Sequence, residues 1–125
     1  MKKIITYGTF DTFHFGHLEL LSRASDLGDH LIVGLSSDKF NQEKNKKSKF
    51  DFKKRQSWLE QIKCVNQIIS EENWQQKADD IIKYNIDALV MGSDWADKFD
   101  HLSNFCEIIY LPRTIGISTT LIKNL

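Results

Sequence analysis

Cysteine is scarce in this chain. Cys64 and Cys106 are the only two, they lie in different apolar segments, and they form no CxxC pair. That argues against a disulfide framework and points to a reducing, cytoplasmic setting. Net charge is absent as well: 17 basic residues balance 17 acidic ones. A protein built wholly around nucleic acid or an anionic membrane would show an excess of positive charge, although a local anion site needs none. Long apolar runs are missing too. The stretch opening Met1–Ile5 is only a few residues long, too short for a signal peptide or a membrane span. Pro112 is the single proline and there is no low-complexity tract, so no linker is expected. The 125 residues suit one domain, 1–125, large enough to bury a core without staples.

The segments present alternate in character. Lys3–Tyr7 is rich in Ile, Thr and Tyr and predicts a strand. His17–Leu27 carries Leu18, Leu21 and Ala24 at helical spacing, with Leu20 and Leu27 beside them. His30–Leu35 is an apolar run without alternation, as expected for a parallel strand covered on both faces. A polar, basic stretch, Gln42–Arg55, begins as a loop and leads into a helix between Asp51 and Lys63. Val65–Ile69 predicts a third strand. Trp74–Tyr84 predicts a helix with Ala78, Ile81 and Ile82 inward. Ala88–Met91, closed by Gly92, and Glu107–Leu111, closed by Pro112, complete five strands, and Ser118–Leu125 suits a last short helix with a Ser/Thr cap. This order predicts an α/β fold: a single Rossmann-like, doubly wound parallel sheet of about five strands with helices on both faces. Ligands then sit beyond the carboxyl ends of the strands, at the switch in strand order.

Three motifs fall at those ends. Gly8-Thr9-Phe10-Asp11 and His14-Phe15-Gly16-His17 lie between the first strand and the first helix. Glycine at 16 allows close backbone approach, and the helix start favours an anion. Two imidazoles aimed at that point can donate to phosphate oxygens. Zinc would need further ligands, but His30 and His101 are distant in sequence and no cysteine is near. Arg113-Thr114-Ile115-Gly116-Ile117-Ser118-Thr119-Thr120 joins the last strand to the last helix and offers a second phosphate cradle, with Arg113 able to fork onto phosphate oxygens. Lys44, Lys46, Lys47, Lys49, Lys53, Lys54 and Arg55 put seven of the 17 basic residues in one short window. Without aromatic interleaving, the window suits a loop closing over a triphosphate better than a nucleic-acid patch.

GTFD, HFGH and RTIGISTT together resemble the nucleotidyltransferase superfamily with an HxGH signature and, within it, the glycerol-3-phosphate cytidylyltransferase family. The likeness spans KKIITYGTFD to RTIGISTTLIK. HxGH is shared with adenylyltransferases and class I aminoacyl-tRNA synthetases, whereas the RTxGISTT ending is far more specific. The resemblance implies that Gly8, Thr9, Phe10, His14 and His17 line a CTP site. It implies that Lys46 binds CTP phosphates, that Gly92 and Asp94 in MGSDW approach the ribose, and that Arg113–Thr120 hold the nucleotide. His14, His17, Lys46, Arg113 and Asp11 would carry catalysis, Asp11 by organising the site. Lys44 and Lys77 would meet the acceptor phosphate. Magnesium with CTP, a homodimer and a product feeding cell-wall or capsule polymers are also implied. Two departures stand out. The family's Arg-Tyr-Val-Asp-Glu-Val segment reads Lys63-Cys64-Val65-Asn66-Gln67-Ile68, so Lys63 and Asn66 are placed on the acceptor side as exchanged residues. An aspartate that often precedes Asp94 is Ser93.

The implied reaction is in-line attack of an acceptor phosphate oxygen on the α-phosphorus of CTP, expelling pyrophosphate. It needs no strong base and no nucleophilic side chain, only positioning and charge stabilisation. Ribitol phosphate and phosphoethanolamine as acceptors, ATP as donor, and a catalytically silent nucleotide-binding domain are the alternatives.

Overall fold

In a computed structural model the structure describes residues 1–11 and 15–112. The strands are β1 (Lys3–Gly8), β2 (His30–Ser36), β3 (Gln67–Glu71), β4 (Ala88–Gly92) and β5 (Glu107–Leu111). The helices are α1 (Phe15–Asp26), α2 (Asp38–Glu43), α3 (Phe52–Glu60) and α4 (Gln76–Lys83), and two 3-10 turns, Ser93–Trp95 and Asp100–Leu102, follow β4. All strand pairs are parallel, in the order β3-β2-β1-β4-β5. The expected doubly wound α/β architecture is therefore present.

Side-chain alternation explains why the central strands read as unbroken apolar runs. Ile4, Leu31, Val33, Ala88 and Val90 face one side and pack with Leu21 and Ala24 of α1 and Leu59 of α3. Ile5, Tyr7, Ile32, Leu89 and Met91 face the other and pack with Ile81 of α4 and with Phe99 and Leu102. Each face is covered, so each strand is apolar at both parities. Ser37 caps α2 by accepting from the Phe40 amide, and Asp51 caps α3 by accepting from the Lys54 amide.

Three local expectations shift. α2 occupies a stretch assigned partly to loop, and its signal is the Ser37 cap ahead of it. β3 starts two residues later than expected, because the Val65 amide is spent on a turn to Ile62 and Asn66 is bonded to Leu31 of β2 through both its backbone and its side chain. Ile82 is 61% exposed rather than inward. The inward stripe of α4 is Lys77, Asp80 and Ile81, two of them polar and each partnered. The last helix, Ser118–Leu125, lies outside the described residues.

Gly34 on β2 pairs with Tyr7 on β1, and the tyrosine ring lies across it: a Cβ there would stand 2.3 Å from the ring. Gly34→Ala is expected to cost about 1–3 kcal/mol by overpacking. Urea denaturation measures this, and an unchanged midpoint would refute the close fit.

Candidate active site

The chain leaves β1 for β2 on one side and reaches β4 on the other, so a crevice opens beyond the carboxyl ends of β1 and β4. A cleft of about 550 Å³ lies there. It is lined by Gly8, Thr9, Phe10, Asp11, His17, Lys44, Lys46, Lys77, Gly92 and Asp94, residues from five separate parts of the sequence. A second cleft of about 430 Å³ adjoins it, reaching Arg23, Leu111 and Pro112. His17, Leu20, Gly92 and Asp94 line both, so the imidazole stands on the shared wall.

The turn after β1 is strained on purpose. Phe10 is buried with φ at 48°, a left-handed conformation unusual for a bulky side chain. Its ring folds back over Gly8, where a Cβ would come within 2.8 Å of it. The same ring meets His17 edge-on, centroids 5.2 Å apart. His17 is the third residue of α1, so the imidazole and the amino end of the helix lie in one region.

Asp11 acts on the backbone of the lysine segment. Its carboxylate accepts from the amides of Lys49, at 2.7 Å, and Phe50, at 2.9 Å. Arg55, fully buried, donates to the carbonyls of Thr9, Ser36 and Phe50 and to Asp38. Thr9 donates to Asn41, whose amide donates to Ser48. One hydrogen-bonded net thus fixes the ends of β1 and β2, α2 and the lysine segment together. Sequence reading placed Asp11 in the site, but counted Arg55 only as part of a basic run and passed over Asn41. The signal for Arg55 was its position beside Leu59 at helical spacing, the inward face of α3.

The lysines differ in setting. Lys44 lies over the Phe40 ring, 4.5 Å from its centroid, and is pushed down to about 8. Burial is the main cause, and neighbouring Lys46, Lys77 and Arg55 add to it while Glu71 opposes it. Lys77 is buried and paired with Glu71 at 2.5 Å. Burial drives the Glu71 carboxyl upward and Lys77 pulls it back. Tyr7 donates to Asp80 at 2.9 Å, and its hydroxyl is held protonated by burial and that carboxylate. Glu71 and Asp80 were missed, since nothing in a lone acidic residue at a strand end or on a helix marks it as inward.

Lys63 and Asn66 are not brought to the cleft. Lys63 is exposed in the turn between α3 and β3, and Asn66 is tied to Leu31 at the amino ends of the strands, opposite the cleft. His14 and Arg113, Thr114, Ile115, Gly116, Ile117, Ser118, Thr119 and Thr120 lie outside the described residues. Pro112, the last described residue before that motif, lies at the second cleft, and its carbonyl accepts from Arg23 at 2.8 Å.

A model of the cytidylyltransferase-like family matches residues 5–125. The chain is 60% identical to a glycerol-3-phosphate cytidylyltransferase of Bacillus spizizenii, over 98% of this chain and 95% of that protein. It is 55% identical to the glycerol-3-phosphate cytidylyltransferase of Staphylococcus aureus, over 98% and 93%. Among solved structures, a lipopolysaccharide core biosynthesis protein of Thermoplasma volcanium superposes with a TM-score of 0.77 at 22% identity, covering 92% of this chain and 99% of that one. At that identity the likeness speaks for the fold.

Proposed function

Because the chain belongs to the cytidylyltransferase-like family, we propose that it transfers the cytidylyl group of CTP to glycerol 3-phosphate, giving CDP-glycerol and pyrophosphate. The observation that carries this reading is the position of His17 on the wall between two adjoining clefts. The larger cleft holds Lys44, Lys46 and Lys77 and suits the phosphates. The smaller borders Asp94 and Pro112 and suits the nucleoside. A phosphate held between them would meet the imidazole of His17 and the amino end of α1.

The acceptor phosphate is already ionised, so the chain's work is to align it and to stabilise charge. Lys44 and Lys77 attract the acceptor. His17 donates to oxygens of the α-phosphate as the bond to pyrophosphate breaks. Lys46 meets the leaving phosphates. Among the described residues no group of three or more His, Cys, Asp or Glu could hold a metal by itself. One cleft carboxylate, Asp94, fits magnesium that arrives on the triphosphate oxygens, where the ion would neutralise charge. We place the enzyme in the cytoplasm as a homodimer supplying precursors for cell-wall or capsule polymers. Among the described residues no helix is long and apolar enough to cross a membrane.

The test is pyrophosphate release with CTP across glycerol 3-phosphate, ribitol 5-phosphate and phosphoethanolamine. Glycerol 3-phosphate should give the highest specificity constant; if it ranks last, the acceptor is wrong.

Lys44 adds a pH prediction. Its ammonium must be charged to hold the acceptor phosphate, and it loses that charge as pH rises through about 8. The specificity constant for the acceptor should therefore fall above that pH, by about ten-fold per unit at the limit. Lys44→Arg, which stays charged, should flatten that limb. A limb unchanged in the variant would remove Lys44 from the role. Stability moves the other way: with the folded value below the ordinary 10.5, the unfolded chain holds more protons between about 8 and 10.5, so this group favours folding more as pH rises through that window.

A further inference from the structure

Lys77 sits in a box. Its Nζ is 4.6 Å from the centroid of the Tyr7 ring, 5.0 Å from Phe99 and 5.3 Å from Trp74. Glu71 closes the box at 2.5 Å, and both charged side chains are 3% exposed. Three aromatic faces around a carboxylate make the chemistry that recognises an organic cation. Tyr7 is fixed in place by its bond to Asp80, which also accepts from Gln76. All four walls line the larger cleft.

We propose that Lys77 fills a preformed organic-cation box with the chain's own ammonium and so sets the acceptor class: neutral polyol phosphates are taken, and phosphates of ammonium-bearing alcohols are refused. The proposal rests on the larger cleft being the acceptor site.

A buried ion pair contributes little to stability against an apolar replacement, so stability alone does not account for this one. Its electrostatic effect on the cleft is directional. Lys44 and Lys77 both line the larger cleft, and Glu71 offsets the charge of one of them. The remaining positive charge attracts a phosphate and repels an ammonium. The box that would seat a cationic tail is already occupied. Removing the Lys77 side chain empties three aromatic faces and bares the Glu71 carboxylate, which inverts the preference.

The experiment compares specificity constants for glycerol 3-phosphate, ethanolamine phosphate and choline phosphate in the native chain, Lys77→Ala and Lys77→Met. The native chain should favour glycerol 3-phosphate over choline phosphate by at least about ten-fold, and Lys77→Ala should move that ratio toward choline phosphate by about ten-fold or more. Lys77→Met keeps the box full without charge, so it should lose glycerol 3-phosphate turnover without that gain. An unchanged ratio in folded Lys77→Ala, or an equal gain in Lys77→Met, overturns the proposal. If the bare carboxylate prevents Lys77→Ala from folding, Lys77→Ala with Glu71→Gln retains the rings and should shift the ratio in the same direction by less; no shift there overturns it. Tetramethylammonium binding, followed by tryptophan fluorescence, gives a readout without turnover. It should appear at millimolar concentration in Lys77→Ala and be absent in the native chain, and its absence in both overturns the box. A native chain that releases no pyrophosphate from CTP with glycerol 3-phosphate would sink the transfer reading, and the tetramethylammonium comparison would still decide the box.

Discussion

His17→Ala is expected to lower turnover by at least ~10²-fold, the scale for losing a donor to charge that develops in the transition state, while CTP affinity falls much less. The imidazole is placed with care. It projects from the first turn of α1, rests edge-on against Phe10, and stands where the two clefts meet. Phe10 itself is held at a φ of 48°, a conformation that persists only when its surroundings impose it. Such support suits a group needed at one point in space more than a group that merely adds affinity. Steady-state pyrophosphate release and calorimetric CTP binding separate the two effects. Near-normal turnover, or a loss confined to CTP affinity, would remove His17 from the transition state. His14, outside the described residues, carries the same expectation from the HFGH motif.

The fold was legible because the central strands announce themselves as short apolar runs and most helices by their period. Glu107–Leu111 appears with the expected bounds, and β1, β2 and β4 differ by one residue at most. Parallel strands covered on both faces are apolar at both parities, and the helical stretches between the runs fix the reading as a parallel sheet. The site was legible where chemistry leaves a local motif: Gly8 to Asp11, His17, Lys44 and Lys46 meet at one cleft from separate segments. Lys77 was read as an acceptor contact from resemblance, and it does reach the cleft, but already paired.

What stayed hidden is the inward direction of polar residues whose partners lie on other elements. Lys77 and Asp80 point inward on α4 because Glu71 and Tyr7 wait for them, from six and 73 residues away. A periodicity reading assigns inward positions to apolar side chains, so it chose Ile82 and was wrong by one step around the helix. Lys63 and Asn66 mark the opposite error. They stood out by differing from a family pattern, and that pattern reports a position in a segment, not a place in the cleft. The Asn66 side chain is committed to the amide of Leu31 at 2.8 Å, far from the carboxyl ends of the strands.

Arg55→Met is expected to destabilise the fold by about 3–5 kcal/mol. The side chain is fully buried and makes four hydrogen bonds: to the carbonyls of Phe50 at 3.0 Å, Thr9 at 2.9 Å and Ser36 at 2.7 Å, and to Asp38 at 2.8 Å. Those acceptors end β1, end β2, open α2 and close the lysine segment. Methionine matches much of the volume and supplies no donor, so three backbone carbonyls lose their partner at once. Lysine would fare little better, since an ammonium on a flexible stem cannot reproduce the planar fork. The ion pair is the minor part of this loss. Asp38 is half exposed, and Asp38→Asn should cost no more than about 1 kcal/mol. Urea denaturation of the three variants orders them: Met and Lys low, Asn near native. Function should follow the same net, because the carbonyl of Phe50 and the amides bonded to Asp11 hold the segment that carries Lys46. In Arg55→Lys, if it folds at the assay temperature, the KM for CTP should therefore rise more than turnover falls. A loss below about 1 kcal/mol in Arg55→Met would show that water or neighbouring donors replace the guanidinium, and the view of Arg55 as the tie beneath the cleft would fall with it.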